Sequence, residues 1–440
     1  MRIFLFILSA AFTIGLCLVL HTKMVLPAPL GKLLAPQEGL WQNAEPANEN
    51  FAADLKFPSL TGKVNVYLDE RLVPHVFAEQ ENDAYFVQGY LHAKFRLWQM
   101  ELQVLSAAGR ASEVVGDIAL NHDREFRRLG MVYAAENSLS EMEANETIKR
   151  ECDAYTAGVN AYIENLPESK LPIEYKLLGY KPEKWSNLKT ALFLKYMSYD
   201  LAAHENDFEM TNAQAFFSPD DFKKLFPPIQ DSLDPIIPKG TVFSAPKVVP
   251  IIPASADSLY FKKDTATAGE GSKPDRDNGS NNWAVAPSKT AHGFAMLAND
   301  PHLNLALPNI WYEMEIHTPE MSVHGVSMPG LPFIIIGFND SIAWGSTNSG
   351  QDVLDWYQIT WQDSSRHAYK LDGKFVNATL HPEEIKVRGQ QSVVDTIRYT
   401  HWGPVTHSDE HKDMAMKWIG HQKATVNDLD YLKKINKAAN

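Results

Sequence analysis

Apolar and polar positions follow a helical period through much of the N-terminal half of the chain. From Asn82, the segment NDAYFVQGYLHAKFRLWQMELQVLSAAG has apolar residues at helical spacing and few helix breakers, and Gly109 supplies a stop. The same period recurs in IKRECDAYTAGVNAYIENL and in LKTALFLKYMSYDLAAHENDFEMTNAQAFF. The pattern therefore predicts that residues 80–230 are mostly helical.

Alternation of apolar and polar residues predicts strands on both sides of this helical stretch. The earlier segment, GKVNVYLDERLVPHVFAEQ, predicts two short strands around a turn. The later strand-like segments are NNWAVAP, FAMLAND, IWYEMEIHT, FIIIGFND, IAWGSTN, DWYQITW, SVVDTIRYT and MAMKWIG. We therefore expect an α+β protein whose sheet-rich part begins abruptly at Ser280.

Between these two parts the chain loses any sustained period. Residues 236–279 are rich in Pro, Gly, Ser and charged side chains, a composition typical of a linker or spacer. The predicted layout is a helix-rich region over residues 23–235, a flexible spacer over 236–279 and a sheet-rich region over 280–440. No internal repeat is visible in the sequence.

The N-terminus carries an uncharged apolar run from Ile3 to Leu20, 18 residues long, behind a single basic residue, Arg2. This length lies at the border between the core of a signal peptide and a membrane span. No clean small-x-small cleavage site follows, which favours an uncleaved anchor over residues 1–22, with a cleaved signal as the alternative. Either interpretation predicts a periplasmic or other extracytoplasmic protein.

Composition excludes several classes of partner and site. The 440 residues carry a formal net charge of −13 and no Lys/Arg cluster, so a nucleic-acid partner is not expected. The two cysteines are Cys17, inside the apolar run, and Cys152. The body of the protein can therefore form neither an intramolecular disulfide nor a cysteine-based zinc site.

Ser280 lies at the start of a predicted hairpin whose turn is PSKTAHG. Reflection of the strands about residue 290 places Ser280 opposite roughly residue 300, with His302 beside it at one end of the sheet. A serine next to a histidine suggests nucleophilic catalysis. If the chain is cut between Gly279 and Ser280, the new α-amine, with a pKa of about 7.7–8, supplies a base.

Two other interpretations of these residues stay open on spacing alone. Ser280 can simply begin a strand after a loop, with His302 as a structural histidine. Alternatively, the protein can be a conventional serine hydrolase that uses His302 as its base without chain cleavage. The sequence contains no HExxH, phosphate-binding or Rossmann motif, and GVSMPG is not a GxSxG nucleophile elbow.

The stretch GSNNWAVAPSKTAHGFAMLANDPHLNLALPNIWYEMEI resembles the start of the β chain in the penicillin acylase family of N-terminal-nucleophile hydrolases. This family includes the acyl-homoserine lactone acylases. The resemblance extends to VPHVFAEQENDAYFVQGYLHAKFRLWQMEL, GRASEVVG and AYTAGVNAYI upstream. Downstream it covers MPGLPFIIIGFNDSIAWGSTNSGQDVLDWY, THWGPV and MKW, so that it spans roughly residues 60–435 in order.

This resemblance implies a four-layer αββα core and an exported amidohydrolase made as a precursor. It implies self-cleavage at Gly279–Ser280, giving an α/β heterodimer, and hydrolysis of a linear amide with a hydrophobic acyl group through an acyl-Ser280 intermediate. His302 matches a position that orients the nucleophile. Ser349, in WGSTNSG, matches the residue whose backbone N–H helps to form the oxyanion hole.

The resemblance also implies one structural Ca²⁺ ion. Asp352 and Asp355 match the calcium-binding segment of the family, in which the position of Leu354 contributes a carbonyl oxygen. Glu209 resembles the carboxylate that the α chain supplies. Hard oxygen ligands drawn from both chains suit Ca²⁺.

Precursors in this family are generally much longer than 440 residues. We therefore expect the sequence to lack the C-terminal half of its β chain, including the Asn that is the second oxyanion donor in the family. The alternative to an acylase is a non-catalytic family member that keeps the fold as a binding or structural module.

Overall fold

A computed structural model describes residues 1–23, 27–44, 50–203, 206–227, 240–242, 279–303, 305–407, 413–423 and 427–439. Most of the predicted spacer at 236–279 lies outside these residues. The α-helices are α1 (Arg2–His21), α2 (Leu30–Leu34), α3 (Glu81–Ala107), α4 (Ser112–Val115), α5 (Leu120–Arg128), α6 (Met131–Ala144), α7 (Glu146–Glu164), α8 (Ile173–Leu178), α9 (Asn187–Ala202), α10 (Asp207–Phe216), α11 (Pro219–Leu225) and α12 (Asp428–Asn436).

The strands form five sheets among the described residues. They are β1 (Val64–Leu68), β2 (Pro74–Ala78), β3 (Gly279–Val285), β4 (Met296–His302), β5 (Tyr312–Thr318), β6 (Met321–Ser327), β7 (Ile336–Asn339), β8 (Ala343–Trp344), β9 (Leu354–Gln358), β10 (Ala368–Leu371), β11 (Lys374–Asn377), β12 (Thr379–Ile385), β13 (Val393–Tyr399), β14 (Val405–His407) and β15 (Met414–Trp418). One sheet has six strands in the order β1-β2-β5-β6-β7-β8, and another has three in the order β14-β15-β9. The pairs β3-β4, β10-β11 and β12-β13 are separate ladders.

The main core lies between the six-stranded sheet and the helices α3 and α7. Strand β5 alternates strictly, so Met314 and Ile316 face the helices while Glu313 and Glu315 face away from them. The two helices approach very closely, since a Cβ atom on Gly89 would lie 2.1 Å from the Tyr155 carbonyl oxygen. A Cβ atom on Gly158 would lie 1.8 Å from the Phe86 carbonyl oxygen. Glycine at both positions lets the helix backbones touch.

A second core connects the helical region to the three-stranded sheet. Phe126 and Tyr199 from helices α5 and α9 are buried with Trp356 and Trp418 from strands β9 and β15. Tyr199 and Trp418 meet edge to face, with ring centroids 5.7 Å apart. Helix α10 joins this cluster through Phe208, whose ring lies against that of Trp356 in strand β9.

The α+β class expected from the sequence is confirmed, as is the mostly helical character of the described part of residues 80–230. Every strand-like segment singled out in the sequence contains a strand. Strands β6, β10, β11, β12 and β14 lie outside those segments. The parallel pairing of β2 with β5 joins residues 240 positions apart, such as His75 and Glu315, which no local pattern predicts. Both cysteines are free thiols.

Candidate active site

Ser280 is the second residue of strand β3, at one end of the β3–β4 hairpin. In the ladder Ser280 pairs with Pro301 and Gly279 pairs with His302, a register that agrees with reflection about the PSKTAHG turn. Ser280 is half-buried, whereas the rest of β3, from Asn281 to Val285, is exposed. Ser280 thus lies at the open end of the ladder, where the chain enters the hairpin.

His302 and Ser280 lie on opposite faces of this hairpin. Residues directly opposite each other in an antiparallel ladder share a face, and neighbours along a strand alternate. His302 therefore shares its face with Gly279 rather than with Ser280. Its Nε2 atom is 2.9 Å from Asp300 Oδ2, and both side chains are exposed. The structure brings His302 beside the Gly279–Ser280 bond but does not bring its ring to the Ser280 hydroxyl.

The described side chain that contacts the Ser280 hydroxyl is Thr347. The two hydroxyl oxygens are 2.7 Å apart, and either can be the donor. The Thr347 hydroxyl also lies 3.3 Å from the Ser280 carbonyl oxygen, as a donor to it. Sequence reasoning missed Thr347, although it lies in the WGSTNSG segment that carried the family resemblance, two residues before Ser349.

The loop that carries Thr347 is joined to the hairpin by Asn299. The Asn299 amide donates to the carbonyl oxygens of Asn281, at 2.9 Å, and Ser346, at 3.0 Å. The amide oxygen of Asn299 accepts from the Ser346 N–H at 3.0 Å. The Asn299 side chain therefore both donates a hydrogen bond to the Ser346 backbone and accepts one from it, as the backbone of a neighbouring strand would.

Ser349 lies in the same loop, two residues beyond Thr347, and is exposed. The adjacent Asn348 ties the loop to the helical region, because its amide donates to the Leu201 carbonyl oxygen at 2.7 Å. The Asn348 side-chain oxygen accepts from the N–H of Gly350 at 2.9 Å. Within the described parts of the chain, no acceptor takes the Ser349 N–H. Ser349 thus lies on the loop that contacts Ser280, with no acceptor for its N–H among the described residues.

The expected calcium ligands lie where the helical region meets the three-stranded sheet. Burial and the negative charge of Asp352 raise the pKa of Asp355, while Lys417 acts in the opposite direction. Leu354 begins strand β9 beside them. Helix α10, which carries Glu209, reaches this strand through Phe208 and Trp356, whose ring centroids are 5.3 Å apart.

The fit to calcium is partial. The raised pKa of Asp355 comes first from burial and second from the negative charge of Asp352, and a cation would relieve the second effect. However, the described residues include no group of three His, Cys, Asp or Glu side chains arranged to hold a metal ion. The described residues place Asp352 close enough to Asp355 for their charges to interact, but do not gather Glu209 with them in one metal-holding group.

Helix α1 is long and apolar enough to cross a membrane. Its mean hydropathy is 2.7 over an 18-residue window, and none of that window is buried against the rest of the described protein. A helix of this kind near the N-terminus is compatible with a signal sequence as well as with an anchor. Its exposure shows that the fold of the remaining chain does not use it as core.

Comparison with known proteins identifies the class. A sequence profile of the family described as "Penicillin amidase" matches residues 63–440. The chain belongs to this family, whose named members are acylases, that is, hydrolases of amide C–N bonds. Acyl-homoserine lactone acylase QuiP of Pseudomonas aeruginosa is 32% identical over 330 residues, which cover 74% of this chain and 38% of that protein.

A second curated relative and one solved structure are also similar to parts of this chain. The "Penicillin acylase 2 proenzyme" of a Pseudomonas species is 29% identical over 83% of this chain and 46% of its own length. A thermostable penicillin G acylase structure from Alcaligenes faecalis matches at 28% identity and a TM-score of 0.34, over 36% of this chain and 29% of that chain. The chain thus spans about two fifths to half of the length of the curated relatives it matches.

Proposed function

We propose that this protein is an amidohydrolase that cleaves a linear amide with a hydrophobic acyl group through an acyl-Ser280 intermediate. Membership of the penicillin amidase family supports the reaction class. The observation that carries the assignment to Ser280 is its position in the β3–β4 hairpin, with its hydroxyl held 2.7 Å from that of Thr347. Acylated amides such as penicillins or acyl-homoserine lactones, which appear in the names of the relatives, are the candidate substrates.

The first step of the proposal is self-cleavage. The Ser280 hydroxyl oxygen attacks the Gly279 carbonyl carbon, the Gly279–Ser280 C–N bond breaks, and an ester joins Gly279 to the serine oxygen. Water then hydrolyses the ester, which leaves a carboxylate on Gly279 and a free α-amine on Ser280. An α-amine has a pKa of about 7.7–8, so its neutral fraction can accept the hydroxyl proton during later turnovers.

The later steps use the same serine on the substrate. The Ser280 oxygen forms a bond to the acyl carbon, the amide C–N bond breaks, and the α-amine returns the proton to the leaving nitrogen. The N–H of Ser349, which has no acceptor among the described residues, is the proposed donor to the oxyanion. Removing one such donor costs about 3–4 kcal/mol of transition-state stabilisation in other hydrolases. Water then releases the acid.

Three further parts of the proposal concern assembly and location. We propose that the two cleavage products stay together as an α/β heterodimer and that Ca²⁺ at Asp352 and Asp355, with the Leu354 carbonyl, stabilises their junction. Glu209 is a proposed further ligand from helix α10, although the described residues do not gather it with this pair. The ion would be structural and takes no part in the chemistry. Helix α1 would direct the protein out of the cytoplasm, either as a signal or as an anchor.

The geometry favours this mechanism over a conventional serine hydrolase with His302 as base. The His302 ring hydrogen-bonds Asp300 on the opposite face of the hairpin from Ser280. A serine-directed acylating probe separates the two mechanisms. Labelling of Ser280 in an uncut chain would support the His302 mechanism, whereas labelling only after cleavage supports the α-amine.

Intact-mass analysis of the purified protein tests the central claim. The expected result is a new N-terminus at Ser280, which is absent in Ser280→Ala. A protein that stays uncut, fails to react with the acylating probe and hydrolyses no amide would instead support the alternative, a binding or structural module with the family fold. Hydrolysis would be followed as release of a coloured amine from phenylacetyl and long-chain acyl anilides.

A further inference from the structure

The loop from Gly345 to Gly350 lies against the Ser280 face of the hairpin at a distance that only glycine permits. A Cβ atom on Gly345 would lie 2.7 Å from the Asn299 Cβ atom and 3.0 Å from the Asn282 side-chain nitrogen. Asn282 and Asn299 are partners in the ladder and share their face with Ser280. The loop backbone therefore rests directly on two asparagine side chains next to the serine.

Asn299 fixes the position of this loop relative to the hairpin. Its side chain both donates to and accepts from the backbone of Ser346 and also donates to the carbonyl oxygen of Asn281 on the serine strand. A primary amide is the side chain that can supply this donor and acceptor pattern from one group. One residue further on, the loop delivers the Thr347 hydroxyl to Ser280.

Thr347 positions the Ser280 hydroxyl and does not act as a base towards it. A threonine hydroxyl does not take up protons at neutral pH, so it does not activate Ser280. It does hold the serine oxygen, because its own oxygen lies 2.7 Å from the Ser280 hydroxyl oxygen and within reach of the Ser280 carbonyl oxygen. An unrestrained serine side chain distributes among three staggered χ1 positions.

We propose that Asn299 and Thr347 are positioning residues for the nucleophile: Asn299 holds the 345–350 loop on the hairpin, and Thr347 selects one χ1 position of Ser280. This inference rests on the proposed role of Ser280. It assigns to the loop a function in addition to that of the Ser349 N–H, since one loop orients the attacking oxygen and offers the oxyanion donor. Any displacement of Ser346 would disturb both.

The first test measures the reaction of Ser280 with phenylmethanesulfonyl fluoride by intact mass. In that reaction the Ser280 O–S bond forms, the S–F bond breaks, fluoride leaves and the hydroxyl proton passes to the α-amine. Thr347→Val keeps the shape but loses the hydroxyl, and we expect labelling to slow by about three- to tenfold. Thr347→Ser, which keeps the hydroxyl, should stay within about twofold of the unaltered protein.

Thr290→Val is the matched control in the same hairpin. The Thr290 hydroxyl donates to the carbonyl oxygens of Pro287 and Phe294 in the turn, far along the ladder from Ser280. Its loss should leave the labelling rate unchanged. A Thr347→Val rate equal to that of the unaltered protein, or a Thr290→Val rate lowered as much as that of Thr347→Val, would overturn the assignment of Thr347.

The second test does not depend on activity. Hydrogen–deuterium exchange of the Ser346 amide should accelerate by about tenfold in Asn299→Ala, because its acceptor is removed. Asn309→Ala, which removes an acceptor of the Trp311 N–H instead, is the control and should leave Ser346 unchanged. Equal exchange of Ser346 in Asn299→Ala and the unaltered protein would contradict the role of Asn299.

These two readouts separate failure of this inference from failure of the proposed function. If the unaltered protein is neither cut nor labelled at Ser280, the proposed function fails. The positioning role is then decided by exchange at Ser346 and by crystal structures of the unaltered protein and Thr347→Val. An unchanged Ser280 χ1 angle in those two structures would overturn it, whereas a shifted angle supports it.

Discussion

The body of the protein and the hairpin that carries Ser280 are built on different interactions. By the body we mean helices α3–α9 with the six-stranded and three-stranded sheets. There Phe193 is 1% exposed, within a continuous apolar core. In the β3–β4 hairpin Phe294 is 75% exposed, Trp283 is 63% exposed, and no residue of either strand is buried.

This difference shows that stability and site geometry have separate sources. An isolated two-stranded hairpin is marginally stable in water. Among the described residues, this one is held to the 345–350 loop by hydrogen bonds between Asn299 and Ser346 and between Ser280 and Thr347. Apolar burial therefore stabilises the body, whereas a few polar contacts set the position of Ser280, the proposed nucleophile.

The largest expected contrast comes from truncating one phenylalanine in each region. Phe193→Ala should lower the free energy of unfolding by about 3–5 kcal/mol, because it leaves a cavity in a close-packed core. Phe294→Ala should change it by less than about 0.5 kcal/mol, because the ring is exposed. Urea denaturation followed by circular dichroism measures both. Similar losses for the two variants would show that the hairpin is packed as tightly as the body.

Calcium is expected to stabilise the region where helix α10 meets strand β9, and not the β3–β4 hairpin. At a hundredfold excess over its dissociation constant, an ion that binds only the folded state adds about 2.7 kcal/mol of stability. Chelation should therefore lower the melting temperature of the unaltered protein. It should have no effect on Asp352→Asn, which keeps the shape of the residue but loses the charge. No response to chelation in the unaltered protein would count against the site.

The body should also carry a characteristic pH dependence through His421. Burial lowers the pKa of His421 from 6.5 to about 4, although its hydrogen bond to the Leu129 carbonyl oxygen acts in the opposite direction. Between these values the unfolded chain binds a proton that the folded protein excludes. Stability from this group is therefore complete above about pH 6.5 and falls as the pH drops towards 4, by about 1.4 kcal/mol per pH unit.

His421→Gln removes this contribution and keeps a side chain that can donate to Leu129. The free energy of unfolding would be measured from pH 6 to 4.5 by urea titration. Its slope against pH should be smaller in the variant than in the unaltered protein, with a difference of about 1.4 kcal/mol per pH unit. Parallel pH profiles for the variant and the unaltered protein would show that His421 is not the source.

The smallest contrast compares one hydrogen-bonding side chain in each region. Asn145 caps helix α7 by accepting from the N–H groups of Thr147 and Ile148. Asn145→Ala should cost about 1 kcal/mol of stability. Thr290→Val, in the exposed hairpin turn, should cost less than about 0.5 kcal/mol in the same urea experiment. A larger loss of stability for Thr290→Val than for Asn145→Ala would contradict the expectation that polar contacts stabilise the body more than the hairpin turn.

Much of the fold could be predicted because its elements have strong local periods. The apolar pattern predicts helix α3 from Asn82 to a stop at Gly109, and the helix runs from Glu81 to Ala107. The turn predicts a hairpin register with Ser280 near residue 300, and the observed partner is Pro301. A turn of fixed length sets the register of a two-stranded ladder, so this prediction needed no distant contact.

The remaining features depended on distant contacts and could not be read from local pattern. The position of the His302 ring depends on which face of the ladder each residue takes, and a shift of one residue reverses the face. Thr347 reaches Ser280 across 67 positions of sequence, and Asn299 reaches Ser346 across 47. The contact of helix α10 with strand β9 likewise depends on Phe208 meeting Trp356 in space.

The sequence by itself determined the α+β class, the helix-rich and sheet-rich regions, the family and the candidate nucleophile at Ser280. These follow from local periodicity and from motifs, which are properties of neighbouring residues. Only the tertiary structure decided that His302 turns to Asp300 and that Thr347 and Asn299 meet the serine. Such contacts are fixed when separate elements pack, because packing alone selects which polar groups of distant segments come within hydrogen-bond distance.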